Sequence, residues 1–220
     1  MPDWDKNSPE LQHNIALALA EAKRSAKARE KPTLAAAKHW HSIIMQDLDV
    51  PDPRRVEAFR GEPGLEFLQF KVREDWGVYS EDVAGELARF ETNVQRFVGE
   101  LDAMIPPGQE PDRDQTAAIL DVCAWAHAEW ARIHPFANGN GRTARLWANF
   151  IARRHGLPSF VRMRPRPDRC YGTANLIAMK SGDWKPTRVI FERLFNDFFN
   201  QTWCGVLEGG GAASAFALSA

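Results

Sequence analysis

One stretch constrains the fold of this 220-residue chain more than any other: Ile133 to Leu146, with the sequence IHPFANGNGRTARL. Pro135 disfavours helical backbone at His134, so a preceding helix is expected to end near that histidine. Residues 138–141, Asn-Gly-Asn-Gly, tolerate turn and left-handed conformations. Apolar residues at helical spacing resume after Arg142. The stretch therefore predicts a helix, a tight loop and a second helix.

The same loop predicts an anion-binding site. The N-terminus of a helix offers free backbone N–H groups and partial positive charge, and phosphate is its usual ligand. Arg142 and Arg145 are three residues apart, so both project from one side of the first turn and suit phosphate oxygens. His134, at the rim, has a ring that accepts a proton near neutral pH. A plain helical hairpin is the alternative, but it gives no reason for these three side chains to converge.

Composition narrows the class of protein. A chain of this length with 44% hydrophobic residues suits one globular domain. The net charge of −1 provides no basic field, so no nucleic-acid partner is expected. We find no signal-like N-terminus and no apolar run approaching the ~20 residues that cross a bilayer, so no membrane partner is expected. Three widely spaced cysteines, an odd number, predict neither disulfides nor a zinc site and favour the cytoplasm.

Apolar residues at spacings of three and four predict helices along most of the chain. Ser8 and Thr33 are expected to cap the first two helices, Ser80 the third and Asp114 the fourth. The predicted segments run from Pro9 towards Pro32, from Leu34 to Leu48, and over residues 81–104, 115–133, 142–155, 170–180 and 186–200. His39 and His41 are predicted to be structural or surface residues rather than metal ligands. His127 is predicted to be a partly buried histidine bonded to backbone, rather than part of a metal site.

A β-hairpin is predicted near residues 65–79, in the long connection between the second and third helices. Leu65 to Val72 roughly alternates apolar and polar residues, and Trp76 to Tyr79 is a candidate return strand. An isolated hairpin is marginal in water, so this one must pack on the helices. A simple connection without a functional role is the alternative.

The central stretch resembles the signature of the Fic family, His-Pro-Phe-x-(Asp/Glu/Asn)-Gly-Asn-Gly-Arg-x-x-Arg. Its fixed positions are filled by His134, Pro135, Phe136, Gly139, Asn140, Gly141, Arg142 and Arg145. The resemblance covers about residues 33–200 and implies an all-α, Fic-type helical bundle with a small β-hairpin flap. Residues 1–32 are then an N-terminal helical arm, and residues 201–220 a C-terminal tail whose Gly- and Ala-rich composition indicates flexibility.

The resemblance implies a protein adenylyltransferase, which transfers AMP from ATP to a Ser, Thr or Tyr hydroxyl of a target protein and releases pyrophosphate. His134 is then the general base. The implied nucleotide-binding residues are Asn138, Gly139, Asn140, Gly141, Arg142, Arg145 and, near the adenine, Tyr171. A divalent cation, Mg²⁺ or Mn²⁺, is implied as well, bridging phosphates. The target is expected to dock on the hairpin near residues 65–79 by strand addition.

Several points stay open at the level of sequence. Many Fic proteins carry a metal-binding carboxylate where this chain has Asn138, which offers only a neutral oxygen. Cys204 to Gly209 nearly matches an inhibitory helix of the family, and Glu208 would then pair with Arg145. Otherwise the protein is unrestrained or is held by a separate, antitoxin-like partner. Alternatives are transfer of UMP, phosphocholine or phosphate, AMP removal, or nucleotide binding without catalysis. Export as an effector also stays open.

Overall fold

Seven α-helices make up most of the computed structural model, which describes residues 8–72, 75–167 and 169–208. They are α1 (Pro9–Lys27), α2 (Leu34–Met45), α3 (Ser80–Met104), α4 (Arg113–Ile133), α5 (Asn140–Arg154), α6 (Arg169–Ser181) and α7 (Lys185–Glu208). Between α2 and α3, two antiparallel strands of two residues each, β1 (Lys71–Val72) and β2 (Asp75–Trp76), place Lys71 opposite Trp76. The predicted all-α fold is confirmed. No helix in the described ranges is long and apolar enough to cross a bilayer.

The longer strand predicted from Leu65 to Val72 is wrong for its first six residues, which form turns and irregular backbone. Local hydrogen bonds explain the difference. The N–H of Leu65 donates to the carbonyl of Glu62, and the N–H of Leu68 donates to the carbonyl of Leu65. Turn bonds of this kind compete with a strand ladder for the same backbone groups. The return strand, predicted to reach Tyr79, likewise ends at Trp76.

Two of the predicted N-caps are also wrong. Asp112, rather than Asp114, caps α4, because the side chains of Asp112 and Gln115 bond reciprocally to each other's backbone N–H in a capping box. Ser80 is the first residue of α3 instead of its cap. Its hydroxyl donates to the carbonyl of Glu66 and so ties the start of α3 to the preceding turn.

The other helix starts follow the sequence more closely. Ser8 caps α1 and Thr33 caps α2, each by accepting a hydrogen bond from the backbone N–H three residues on. The helix α5 begins at Asn140, slightly before the predicted Arg142. Gly139 is its N-cap residue, with φ of 82° that suits glycine, and its carbonyl accepts from the N–H of Arg142.

The last helix runs beyond its predicted end at Asn200 and reaches Glu208. No proline interrupts the intervening sequence. The remainder of the predicted flexible tail, residues 209–220, lies outside the described residues, as do residues 1–7. The side chain of Glu208 also lies outside them, so its pairing with Arg145 stays a prediction.

The helices α4 and α5 occupy the centre of the bundle. α1 packs on α2 and α5, while α3, α6 and α7 pack on α4. Aromatic rings from four helices fill the space between them and are at most 1% exposed: Trp40, Phe90, Trp130 and Trp147. The Trp40 and Trp147 rings meet edge to face at 4.9 Å, a geometry that adds ~0.5–1.5 kcal/mol to the area that they bury. The loop between α4 and α5 thereby joins two helices that are packed in the core of the bundle.

Candidate active site

His134 lies where α4 ends. Its backbone has φ and ψ of 54°, a left-handed conformation that is costly for residues with a Cβ atom. Its N–H still donates to the carbonyl of Trp130 at 3.0 Å. Pro135 follows, and its ring disfavours right-handed helical backbone at His134. The predicted end of α4 at this histidine is therefore confirmed.

A buried arginine holds this helix end in place. Arg60 is 1% exposed, and its backbone N–H donates to the carbonyl of Pro135 at 2.7 Å. Its guanidinium donates to four main-chain carbonyls, those of His134 (2.7 Å), Val78 (2.8 Å), Ile133 (2.9 Å) and Leu68 (3.2 Å). Burial lowers the pKa of Arg60 to about 10, so it stays charged at neutral pH. Among the described residues it forms no ion pair.

The imidazole of His134 has the properties of a base. It is half-buried beneath the ring of Phe70, with ring centroids 4.6 Å apart. Burial, with a smaller contribution from the charge of Arg60, lowers the pKa of His134 to about 4, so the ring is neutral at pH 7. Nδ1 lies 3.4 Å from the carbonyl of Ala131, which suits an Nδ1–H tautomer. In that tautomer Nε2 is the atom that accepts a proton.

The loop that follows is closed by Asn140. Its Oδ1 accepts from the N–H of Phe136 at 2.8 Å, and its Nδ2 donates to the carbonyl of the same residue at 2.8 Å. Asn140 is buried, so its side chain shapes the loop from within. Because both polar atoms are used, the contribution that Asn140 has left for an anion is its backbone N–H at the start of α5.

A histidine from α2 fixes the other side of the loop. The ring of His41 stacks on Phe136 with centroids 3.9 Å apart, and its Nδ1 accepts from the N–H of Glu57. The proton is therefore on Nε2, which donates to the carbonyl of Asn138 at 3.1 Å. Burial lowers the pKa of His41 to about 3, so this neutral tautomer persists. His41 was predicted only to be structural or surface, and it proves to support the site.

The two motif arginines lie on α5 and are almost fully buried. Arg142, 4% exposed, donates from Nη2 to the Oδ1 of Asn138 at 3.2 Å. Arg145, 5% exposed, donates from Nη1 to the hydroxyl of Tyr171, and its Nε is buried without a hydrogen-bond partner among the residues that the structure describes. In the described ranges no carboxylate forms an ion pair with Arg145. A buried, cationic donor that lacks an acceptor fits an anionic ligand.

Asn138 does not fit the role of a metal ligand. Its Oδ1, the side-chain oxygen that could bind a cation, accepts from the N–H of Gly139 at 2.6 Å and from Arg142. The positively charged guanidinium of Arg142, whose Nη2 is 3.2 Å from this oxygen, repels a metal ion. The part of the chain that the structure describes holds no group of three or more His, Cys, Asp or Glu side chains placed to bind a metal. The site is therefore suited to an anion rather than to a protein-held cation.

Tyr171, predicted to lie near an adenine, is only 3% exposed. Its hydroxyl lies between Arg145, at 3.2 Å from Nη1, and His127, at 2.5 Å from Nε2. The expectation that His127 bonds to backbone is wrong, because this fully buried ring contacts the Tyr171 hydroxyl instead. Tyr171 thus meets the predicted phosphate-binding arginine directly.

The segment from residue 65 to residue 79 borders the histidine. A Cβ atom built on Gly77 would lie 3.4 Å from the Cβ of His134, so the backbone at Gly77 passes close to the histidine. Three large side chains in this segment are exposed to solvent: Phe67 (91%), Tyr79 (52%) and Trp76 (54%). An apolar surface is thereby presented beside the candidate base.

Comparisons with known proteins identify the family and the fold of this chain. The model of the Fic/DOC family matches residues 31–152. A Caenorhabditis elegans protein named protein adenylyltransferase fic-1 is 39% identical over 67 residues, 30% of this chain and 13% of that protein. A Drosophila melanogaster protein named protein adenylyltransferase Fic is 26% identical over 156 residues, 69% of this chain and 29% of that protein. The chain thus spans less than a third of these curated relatives.

Among solved structures, the fold is similar to that of the BepC protein of Bartonella tribocorum, which was crystallised with bound AMPPNP. The superposition has a TM-score of 0.56 at 16% identity and covers 86% of this chain and 88% of that one. At this identity the likeness concerns the fold alone. Together with the family model, which covers more than half of the sequence, it shows that this chain belongs to the Fic/DOC family.

Proposed function

We propose that this protein is a protein adenylyltransferase, which transfers AMP from ATP to a hydroxyl group of a target protein. The observation that carries the proposal is the placement of a neutral histidine just before one loop and of two buried arginines just after it, on the first turns of α5. Arg145 in particular has a buried Nε that finds no acceptor among the described residues. An ATP phosphate supplies the missing acceptor, and the relatives named adenylyltransferases support ATP as the source of AMP.

In the proposed reaction the target hydroxyl attacks the α-phosphorus of ATP while His134 removes its proton through Nε2. A bond forms between the hydroxyl oxygen and the α-phosphorus, and the bond from that phosphorus to the bridging oxygen breaks. Pyrophosphate leaves with the bonding electrons. The backbone at Gly139 to Gly141 would hold the α- and β-phosphates, and Arg142 and Arg145 would neutralise the terminal phosphates.

The target is proposed to bind along residues 65–79, including the flap-like hairpin of β1 and β2. The exposed Phe67, Trp76 and Tyr79 offer apolar contacts there. Phe70 and Gly77 contact His134, so a chain docked on this segment would bring its hydroxyl towards the base. Restraint of the activity would come from a separate inhibitor or from Glu208.

The test is to supply ATP labelled at either the α- or the γ-phosphate to a cell lysate containing the protein. AMP transfer labels a protein from α-labelled ATP alone, whereas phosphate transfer labels it from γ-labelled ATP alone. We expect the first result, and a loss of about 10²-fold in Arg145→Ala because one preorganised charge is removed from the transition state. Arg153→Ala, an exposed arginine of the same helix, is the matched control. Label from γ-labelled ATP alone contradicts the proposal.

Asn138 gives a separate prediction about the divalent cation. Because its Oδ1 faces Arg142, any Mg²⁺ or Mn²⁺ that accompanies ATP would be bound by phosphates and water. Asn138→Asp introduces a carboxylate, which also offsets the charge of Arg142. We therefore expect the Mg²⁺ concentration for half-maximal transfer to fall several-fold in Asn138→Asp and to stay close to the wild-type value in Asn138→Ala. A large increase in Asn138→Ala would show instead that the amide oxygen binds the metal.

A further inference from the structure

Three helices contribute to one buried chain of hydrogen bonds behind the loop. His127 comes from α4, Arg145 from α5 and Tyr171 from α6. The Tyr171 hydroxyl is 3.2 Å from Nη1 of Arg145 and 2.5 Å from Nε2 of His127. All three residues are at most 5% exposed, so water does not compete freely for these bonds.

The arginine end fixes the direction of the first bond in this chain. Arginine can only donate, so the Tyr171 oxygen accepts from Arg145. A hydroxyl has a second lone pair and its own proton, so the bond between Tyr171 and Nε2 of His127 runs in the direction that the His127 tautomer sets. Burial, with a smaller contribution from the charge of Arg145, lowers the pKa of His127 to about 3 and keeps its ring neutral. Its Nδ1 is buried without a hydrogen-bond partner among the described residues.

Aromatic contacts restrict the same side chains. The His127 ring lies 5.2 Å from the ring of Tyr171 and 5.2 Å from the ring of Phe191, which it meets edge to face. The guanidinium of Arg145 lies 5.9 Å from the Tyr171 ring, within the range of a cation–π contact. Tyr171 thus contacts Arg145 through its hydroxyl and its ring. The guanidinium is held at one end, while its Nε has no acceptor within the described part of the chain.

We propose that Tyr171, supported by His127, is a positioning residue that orients Arg145 towards the terminal phosphates of the bound nucleotide. This inference rests on the proposed function, in which Arg145 binds those phosphates. It gives Tyr171 a role different from the adenine contact expected from sequence. The ring of Tyr171 packs in the interior whichever of these two roles the residue has, so the hydroxyl is the group to be tested.

Tyr171→Phe removes the hydroxyl and keeps the ring. Calorimetry on the purified protein should show ATP binding weakened about tenfold, the scale of one lost hydrogen bond to a charged group. AMP, which lacks the terminal phosphates, should bind within about twofold of wild type, well inside the tenfold step that corresponds to ~1.4 kcal/mol. Thr187→Val, which deletes a buried hydroxyl without a hydrogen-bond partner in the described ranges, is the matched control and should change neither value. Equal loss for ATP and AMP, or no loss for either, overturns the inference.

His127→Leu tests the chain from its other end. It removes the bond between Nε2 and the Tyr171 hydroxyl and keeps the bond to Arg145, so ATP binding should weaken by less than in Tyr171→Phe. The double variant should bind ATP no more weakly than Tyr171→Phe alone, because both changes act through one chain of bonds. If the two single effects multiply in the double variant, His127 and Tyr171 act independently and the inference is wrong.

A measurement without nucleotide separates this inference from the proposed function. The arginine Nε–H resonance of Arg145 can be assigned by its absence from the NMR spectrum of Arg145→Lys. In the nucleotide-free protein we expect it to shift or broaden in Tyr171→Phe and to stay in place in Thr187→Val. An unchanged resonance in Tyr171→Phe overturns the inference, even where wild-type protein binds and uses ATP. Wild-type protein that does not bind ATP contradicts the proposed function, while the NMR comparison still tests the bond.

Discussion

Arg60→Met is expected to destabilise the protein by about 3–5 kcal/mol, a large share of the stability of a typical domain. Methionine fills much of the same volume without donating a hydrogen bond. Four main-chain carbonyls then lose their charged donor: those of Ile133, His134, Leu68 and Val78. The loss occurs in the interior of the protein, since Arg60 is 1% exposed. Each buried carbonyl left without a partner costs about 1–3 kcal/mol, and removing a buried charge offsets part of the sum. Urea unfolding of the ligand-free protein measures the change.

Arg89→Met is the matched control, because that arginine is 69% exposed and, among the described residues, pairs with Glu86 on the same helix. We expect no measurable change in that variant. Arg60→Lys should lie between the two, since a lysine ammonium donates three bonds and cannot span carbonyls in four directions. A stability of Arg60→Met equal to that of wild type would show that the four carbonyls do not depend on this side chain, and would remove our explanation of how the His134 backbone is held.

The loop between α4 and α5 could be predicted because its signals are local. Pro135 ends one helix at the residue before it, and Gly139 supplies the positive φ that starts the next. Arg142 and Arg145 share a face of α5 because of helical geometry alone. Residues adjacent in sequence are sufficient for each of these conclusions.

The residues that hold the loop could not be predicted in the same way. Arg60 bonds to His134, 74 residues away, and His41 bonds to Asn138, 97 residues away. Both bonds end on main-chain carbonyls, which every residue has, so no side-chain pattern marks the partner. In the sequence, a single arginine in a loop or a single histidine in a helix looks the same whether its side chain is buried or exposed.

Local competition accounts for the other differences. At the start of α4, Asp112 and Asp114 are both good caps, and the reciprocal bond with Gln115 decides for Asp112. After Pro63 the sequence does alternate apolar and polar residues, as the strand prediction requires. Backbone N–H groups in this segment instead donate to carbonyls three residues earlier, which forms turns. Tyr171 was expected from sequence to lie near an adenine, and the contact that the structure gives its hydroxyl is with Arg145.

Replacement of His134 is expected to have the largest effect on transfer. His134→Asn keeps a residue type that tolerates the left-handed backbone of this position, so the loop should persist. Asparagine cannot accept the proton of the attacking hydroxyl, so the rate should fall by about 10²–10⁴-fold. His39→Asn is the matched control, because that histidine is 57% exposed and outside the loop. Circular dichroism should show the same fold in all three proteins.

The pH dependence follows from the same residue. His134 must be neutral to accept a proton, and its pKa of about 4 is below the ordinary 6.5. Transfer by wild-type protein should therefore persist between pH 6.5 and about 4, where an ordinary histidine is protonated. The stability of the folded protein limits how far down this pH range transfer can be measured. Two further histidines, His41 and His127, are buried and have pKa values of about 3 in the folded protein. The unfolded chain binds more protons than the folded chain from pH 6.5 down to about 3, so stability falls as the pH is lowered. Initial rates should accordingly be paired with circular dichroism at each pH.

The central claim is that this loop transfers AMP and that His134 is its base. Its most direct test is the labelling of protein in a lysate by α-labelled ATP at neutral pH, with wild type, His134→Asn and His39→Asn compared at equal concentration. We predict labelled protein with wild type and His39→Asn, and labelling at or near background with His134→Asn. Equal labelling by His134→Asn and wild type, with both proteins folded, would contradict the account.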